Sequence, residues 1–336
     1  MERNSLYFTA PGQIAIREET LLPTGRGQVL VESICSAISP GTESLIYHGQ
    51  FPTGMAVDEG ISALSGEFSY PLKYGYALVG RVIQVGAEVD PDWQERLVFA
   101  FNPHESHFIA SPDELMPVPE GMAPEEAVFL PNMETAINFV MDGAPLIGEK
   151  VVIFGQGIVG LLTTTLLARF PLDDLITLDR YPLRRQTSLA CGAQASLDPA
   201  APQILDALKT RLSIGSDLTY ELSGSPVGLD QALAVTGFAG RLVIGSWYGK
   251  KKVDLDLGGY FHRSRIRLIS SQVTSLAPEL SGRWTKGRRF EIAWQMLSAV
   301  KPSAFITQRF PLKQAAQAYE LLDQCPQDAI QVLLTY

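Results

Sequence analysis

The stretch VVIFGQGIVGLLTTTLLARF, residues 151 to 170, constrains the fold of this chain more than any other. Four apolar residues run into Gly155, Gly157 and Gly160, and an apolar pattern at helical spacing follows. A strand, a tight turn and a helix start satisfy that order of residues. In such a turn Gly155 permits the sharp reversal and Gly157 lets the backbone approach an anion at the helix N-terminus. Gly160 lets the helix pack close on the strand.

Asp179 ends the next apolar run, LITLD. A carboxylate placed there accepts hydrogen bonds from ribose hydroxyls and repels a 2′-phosphate. The three glycines and Asp179 therefore predict a dinucleotide site that prefers NAD(H). Arg180, Arg184 and Arg185 beside it leave NADP(H) open, since each offers a phosphate partner.

The chain has 336 residues, enough for two domains. Its 46% hydrophobic and 19% charged content describes a globular protein with a sizeable core. A net charge of −9 argues against a general nucleic-acid binder, which needs an excess of Lys and Arg. Cys35, Cys191 and Cys325 are widely spaced and odd in number. They build neither a disulfide framework nor a CxxC zinc pattern, so a reducing compartment is expected. MERNSLYFTAPGQ has no apolar core of a signal peptide, and the apolar runs are broken before a membrane-spanning length. A cytoplasmic protein with no membrane partner is the expectation.

The first 120 or so residues read as short strands punctuated by Gly and Pro, as in SLYFTA, IAIREE, QVLVESICSAI and YGYALVGRVIQVG. From about Pro124 strands alternate with helices, the pattern of a parallel sheet covered on both faces. KVVIFG leads to a helix over 158–169, LITLD to the helix PLRRQTSLACGA, and DLTYELSG to GLDQALAVTGF. GRLVIGSWYG and RIRLISSQ close the series. RRFEIAWQMLSA and LKQAAQAYELLDQ read as amphipathic helices, and AIQVLLTY as a final strand that pairs back with the N-terminal β domain.

A β domain, then GQGIVG at a strand–helix turn, then a return to the β domain resembles the medium-chain dehydrogenase/reductase superfamily, over nearly the whole chain. GYALVGRVIQVG sits where that family carries the strand after a Gly-His-Glu, and ETAIN where it carries the helix leading to the nucleotide domain. FPLKQAAQAYELL is similar to its penultimate helix. SAISPGTESLIYHG and YGYALVG are most similar to the branch containing bacteriochlorophyllide hydroxyethyl dehydrogenase. The resemblance implies a Rossmann doubly wound parallel sheet over residues 124–272. It implies a mostly β, GroES-like catalytic domain over 1–123 and 273–336. It adds Gln156, Ile158, Ser223, Gly245 and Thr135 to the cofactor-binding residues, with Thr135 near the nicotinamide.

Zinc members of the superfamily hold the metal with Cys, His and a further Cys, Asp or Glu. This sequence reads Ser39 at the first of those positions, Tyr76 and Ala77 at the Gly-His-Glu, and Pro131 or Asn132 near the third. Hydroxyls are poor substitutes for thiolate, imidazole and carboxylate donors, so the chain is expected to work without zinc. Residues 36 to 190 hold no cysteine, so the four-cysteine structural lobe is missing as well. His104 and His107 in FNPHESHF are read as structural residues of a strand or its edge, where positions three apart face opposite ways.

Hydride transfer without a metal needs a hydroxyl or imidazole to serve the substrate oxygen. Tyr76 is the first candidate, because the resemblance puts it in the slot of a metal ligand. Ser39 and Thr42 extend a proton relay, Glu43 either orients it or forms a structural ion pair, and His48 follows in the same segment. FPTGMAVDEGISALSGEFSYP is read as a lid that shapes the pocket. GGYFHRSRIRLISSQ and SGRWTKGRRFEIAW carry His262, Arg263, Arg265 and Arg267, then Arg283, Lys286, Arg288 and Arg289. They leave an anionic substrate open, although alternation that puts Arg263, Arg265 and Arg267 on one strand face suits a solvated face or a subunit contact. The expected function is a zinc-independent NAD(P)(H)-dependent oxidoreductase that interconverts an alcohol and a carbonyl, acting as a homodimer by analogy with the family. The rivals are an NADPH-dependent enone or quinone reductase and a nucleotide-binding protein without catalysis.

Overall fold

The computed structural model describes residues 1–336 apart from Thr53, Met55, Ala56, Asp58, Glu59, Gly60, Ser65 and the side chain of Ser62. The lid read in the insertion at 51–71 falls in part on residues outside those described, 7 of its 21. Two compact units are present, Met1–Pro131 with Trp294–Tyr336, and Asn132–Ala293. The sequence reading set the boundaries at 123/124 and 272/273. The chain instead passes between units within the helices Leu130–Gly143 and Lys286–Val300. A continuous helix offers no break in composition at which such a boundary shows. Among the described residues no helix is long and apolar enough to cross a membrane.

The first unit opens with the antiparallel hairpin β1 (Glu2–Ala10) and β2 (Gln13–Thr20). It continues with β3 (Val29–Ala37), β4 (Leu78–Val85), β5 (Leu97–Ala100), β6 (His107–Ala110) and β7 (Leu115–Pro117). The second unit holds β8 (Lys150–Phe154), β9 (Asp174–Leu178), β10 (Ala195–Leu197), β11 (Ser216–Glu221), β12 (Thr236–Ile244) and β13 (Arg267–Ser270). β14 (Ile306–Pro311) and β15 (Gln331–Thr335) return to the first unit.

In the second unit the strand order is β10-β9-β8-β11-β12-β13, and every pair is parallel. VVIF is apolar throughout and LITL is apolar but for Thr177, whose hydroxyl bonds Ser188 and Ser196, because strands covered by helices on both faces bury every side chain. Alternation sends Val152, Phe154, Ile176 and Leu178 into a core with Leu229 and Leu233, while Val151, Ile153 and Leu175 pack with Leu167 and Phe139. The order reverses between β8 and β11, and a doubly wound sheet opens a crevice at the carboxyl ends of such a pair. β10 and the helix Ile204–Leu212 are elements that sequence patterning did not show.

In the first unit a seven-stranded sheet runs β14-β15-β3-β4-β5-β7, with β6 also on β3. β15 pairs antiparallel with β3, as the reading of AIQVLLTY required. Leu6, Phe8, Ile38, Ile46, Tyr74, Tyr319 and Leu334 form one core of this unit, and Tyr76 packs at its margin.

Two readings of the basic stretches are corrected. Arg263, Arg265 and Arg267 do not share a strand face: Arg263 closes the helix Tyr260–Arg263, Arg265 has a φ of 53° and β13 begins only at Arg267. Arg289 is no surface charge. It is wholly buried, with Nη2 2.8 Å from Glu134 Oε1 and Nη1 donating to Asn138 Oδ1 at 2.5 Å.

Candidate active site

The glycine turn follows β8 directly. Gly155 has a φ of +94°, and a Cβ there would lie 2.6 Å from the Ser223 amide nitrogen, so both the turn and the close approach of the neighbouring loop require glycine. Gly157 precedes the helix Ile158–Leu167, and a Cβ on it would meet no atom within 4 Å. The space beside Gly157, at the start of that helix, is therefore open, and a helix N-terminus is where a phosphate binds. Ile158 is buried, 5% exposed, and anchors the helix start.

Gln156 is fully buried and ties the turn together. Its side chain donates to the Gly155 carbonyl at 3.0 Å and accepts from Thr164 Oγ1 at 2.9 Å. Its backbone amide donates to Asp179 Oδ2 at 2.7 Å, and Asp179 Oδ1 accepts from the Tyr181 amide at 2.9 Å. Asp179 is thereby fixed at the end of β9, at the edge of the crevice. The three arginines differ. Arg185 donates to the Asp179 and Arg180 carbonyls at 2.8 Å and lies 3.5 Å from Asp198, so it holds the loop. Arg184 lies over the Tyr181 ring at 4.8 Å, and Arg180 is exposed.

Ser223 and Gly245 bound the other side of the crevice, after β11 and β12. Glu221, fully buried, was missed in the sequence. Its Oε1 accepts from the Ser223 amide at 2.8 Å, the Ser223 hydroxyl and the Gly224 amide, and its Oε2 accepts from Tyr248 at 2.7 Å. Burial, with the Glu221 charge beside it, holds the Tyr248 phenol far above the usual tyrosine range. The signal was present in ELSG, an acidic residue between an apolar strand and a Ser-Gly turn. A Cβ on Gly245 would lie 2.6 Å from the Phe139 ring, so no side chain fits there. Thr135 sits half-buried on the helix Leu130–Gly143.

The hydroxyl candidates lie in the first unit. Ser39 stands just before the helix Pro40–Tyr47, and its side chain makes no capping bond to that helix. Instead Ser39 Oγ and Tyr76 Oη are 2.5 Å apart. Glu43 Oε1 accepts from the Ser39 amide at 2.7 Å, so Ser39, Glu43 and Tyr76 come together. Thr42 is half-buried in the first turn of the same helix. His48 does not join the group: its Nε2 lies 2.9 Å from Asp323 Oδ1, where the helix end turns it toward the helix Ala315–Gln324.

Sequence reasoning placed His104 as a structural residue but missed its partners. It is wholly buried, with Nε2 3.1 Å from Glu43 Oε2 and Nδ1 2.6 Å from Ser36 Oγ. Tyr319 donates to the same Glu43 oxygen, and Ser36 Oγ is 2.8 Å from Tyr336 Oη. Burial first, then the Glu43 charge, pushes the Tyr319 phenol well above its ordinary value.

Ser39 and Tyr76 offer hydroxyls, and Ala77 offers a methyl group. Such a set does not fit zinc. Among the described residues no group of three or more His, Cys, Asp and Glu side chains could hold a metal ion. The glycine turn does fit a dinucleotide, because Gly157 leaves room where a side chain would obstruct it and Asp179 is fixed beside it.

No family model matches the chain. It is similar to the starvation-sensing protein RspB of Escherichia coli strain K12, 24% identical over 362 residues that cover 99% of both chains. It is similar to the D-guloside 3-dehydrogenase of the same strain, 23% identical over 269 residues, 78% of this chain and 77% of the relative. Among solved structures, a short chain alcohol dehydrogenase (rspB) from E. coli CFT073 complexed with NADH superimposes with a TM-score of 0.80. It is 20% identical and covers 100% of this chain and 99% of its own. The chain has the fold of the medium-chain dehydrogenases/reductases and is an enzyme similar in sequence to dehydrogenases.

Proposed function

We propose that the chain is a zinc-independent, NAD(H)-preferring oxidoreductase that interconverts an alcohol and a carbonyl on a small or medium organic substrate. The observation that carries the reading is the Ser39–Tyr76 hydroxyl pair, 2.5 Å apart, at positions where the family carries zinc ligands. The nicotinamide supplies or accepts the hydride. The chain's own task is to hold the dinucleotide and to move the proton of the substrate oxygen. Gly155, Gln156, Gly157, Ile158 and Gly160 form the cradle, and Asp179 takes the ribose hydroxyls. Ser223, Gly245 and Thr135 line the remainder of the site. Tyr76 donates the proton to the carbonyl oxygen during reduction and removes it during alcohol oxidation, with Ser39 Oγ as its hydrogen-bond partner.

Asp179 supports NAD(H) over NADP(H), because its charge faces the place of a 2′-phosphate and Arg185 is committed to the loop carbonyls. The likeness to a D-guloside 3-dehydrogenase supports a secondary hydroxyl as the reacting group. The basic residues at 262–267 keep an anionic substrate within the reading. Placement in the bacteriochlorophyllide dehydrogenase branch rests on SAISPGTESLIYHG and YGYALVG alone, and no substrate is taken from it. We further infer a homodimer formed along the edge strand β13, supported by its exposed residues, and a reducing, cytoplasmic setting, supported by three free thiols.

The test is a fluorescence titration with NADH and with NADPH, followed by NAD⁺ reduction with a panel of secondary alcohols and sugar glycosides, with and without a chelator. Tight binding of NADH and chelator-resistant oxidation of an alcohol are expected. Stoichiometric zinc with chelator-sensitive turnover would overturn zinc independence. NADPH preference with enone or quinone reduction would replace the reading by its rival.

A further inference from the structure

Glu43 and His104 are wholly buried; Glu43 bonds the Ser39 amide, and His104 bonds Glu43. Glu43 divides its two oxygens: Oε1 takes the Ser39 amide, while Oε2 faces His104 Nε2 and takes the Tyr319 hydroxyl. The Ser39 backbone is thus fastened by a carboxylate whose own orientation depends on His104.

His104 also reaches the other half of the pair. A Cβ on Gly75 would lie 2.7 Å from His104 Nε2, and Gly75 has a φ of +117°. Only glycine lets the chain turn over the imidazole immediately before Tyr76. The His104 amide donates to the Tyr74 carbonyl at 3.4 Å, and the Tyr74 ring meets the Tyr76 ring edge-on at 6.1 Å. Ser36 holds the far nitrogen of the imidazole. One side chain therefore abuts both the carboxylate that places Ser39 and the backbone that places Tyr76.

We propose that His104 and Glu43 are positioning residues that keep Ser39 Oγ and the Tyr76 phenol within bonding distance. Neither is solvent-accessible, so neither meets the substrate directly; they act through geometry, to which catalysis is sensitive at the scale of about 1 Å. The catalytic meaning of the proposal rests on the reading of Tyr76 as proton donor.

The test uses the full chain labelled with meta-fluorotyrosine, with the Tyr76 fluorine resonance assigned by its absence in Tyr76→Phe. His104→Asn and Glu43→Gln are each expected to shift or broaden that line while NADH titrates as in the parent. A network that only stabilises the fold would lower the melting temperature and leave the line unmoved, and that result in a folded variant overturns the proposal. With an alcohol from the panel as probe, His104→Asn is expected to lower kcat about tenfold or more at nearly unchanged KM, and to add nothing in a Tyr76→Phe background. Full additivity overturns the proposal. Should His104→Asn fail to fold, Ser36→Ala removes the Nδ1 partner and is read in the same two ways. Parental turnover in Tyr76→Phe alone would overturn the donor reading and leave the fluorine result to decide positioning.

Discussion

Gly160 faces the backbone of Gly155 so closely that a Cβ on residue 160 would lie 3.0 Å from the Gly155 carbonyl carbon and nearer still to its oxygen. Gly157, three residues earlier, would point a Cβ into open space. The two glycines thus separate packing from binding within one turn. Gly160→Ala gains about 1 kcal/mol of helix propensity but meets backbone that cannot rotate away, and overpacking of about 1–3 kcal/mol wins. Gly157→Ala is expected to keep the parental urea midpoint while NADH affinity falls about tenfold or more, close to 1.4 kcal/mol. Equal NADH affinity in folded Gly157→Ala would remove the open space from the cofactor site.

Arg289 and Glu134 form an ion pair from which water is shut out on both sides, with side-chain exposures of 0% and 4%. Burial pushes the Glu134 carboxyl up, and the Arg289 guanidinium only partly offsets that. Arg289→Ala leaves an unpaired buried carboxylate and is expected to cost about 3–5 kcal/mol in urea unfolding. Its exposed neighbour Arg288, stacked 4.0 Å over Trp284, is expected to cost well under that on substitution by Ala. Similar losses at both positions would show that burial of Arg289 does not decide its energetics.

The parts of the candidate site that were legible lie within a few residues of one another or of a turn. GQGIVG announces its strand–turn–helix because the glycines answer local steric demands, and Asp179 is reached by stepping one strand further. Glu43 and His104 are 61 residues apart, and Tyr319 is 276 from Glu43, so no periodicity connects them. Nothing in KGRRFE, the polar start of a helix, sets Arg289 apart from its neighbours. Its burial comes from contact with the helix carrying Glu134, a fact of tertiary packing. β10 spans only three half-buried residues, too few for alternation to register.

Glu19 sits between Tyr7, Ser5 and Lys73. Burial alone would raise its carboxyl, but the hydroxyl bonds from Tyr7 and Ser5 and the Lys73 ammonium at 3.1 Å bring it down to about 2. A carboxyl depressed in the folded state stabilises above its ordinary value of 4.5, and that contribution fades as pH falls from there toward 2. The melting temperature of Glu19→Gln is therefore expected to lie below the parent's at pH 7, with the gap narrowing below pH 4.5. A gap that stays constant down to pH 3 would show that the Glu19 charge does not contribute.

Tyr76→Phe removes one oxygen from a ring that is otherwise packed beside Tyr74 at the margin of the core, so the fold and NADH affinity are expected to stay parental. If the phenol moves the proton, turnover falls by about 10²-fold or more, or about 2.7 kcal/mol in barrier height. KM is expected to change little, because the bond to the substrate oxygen strengthens as charge develops. Ser39→Ala leaves the phenol in place without the Ser39 hydroxyl and is expected to lose less than Tyr76→Phe. The reverse order would make Ser39 the group that meets the substrate, with Tyr76 holding it through the 2.5 Å contact.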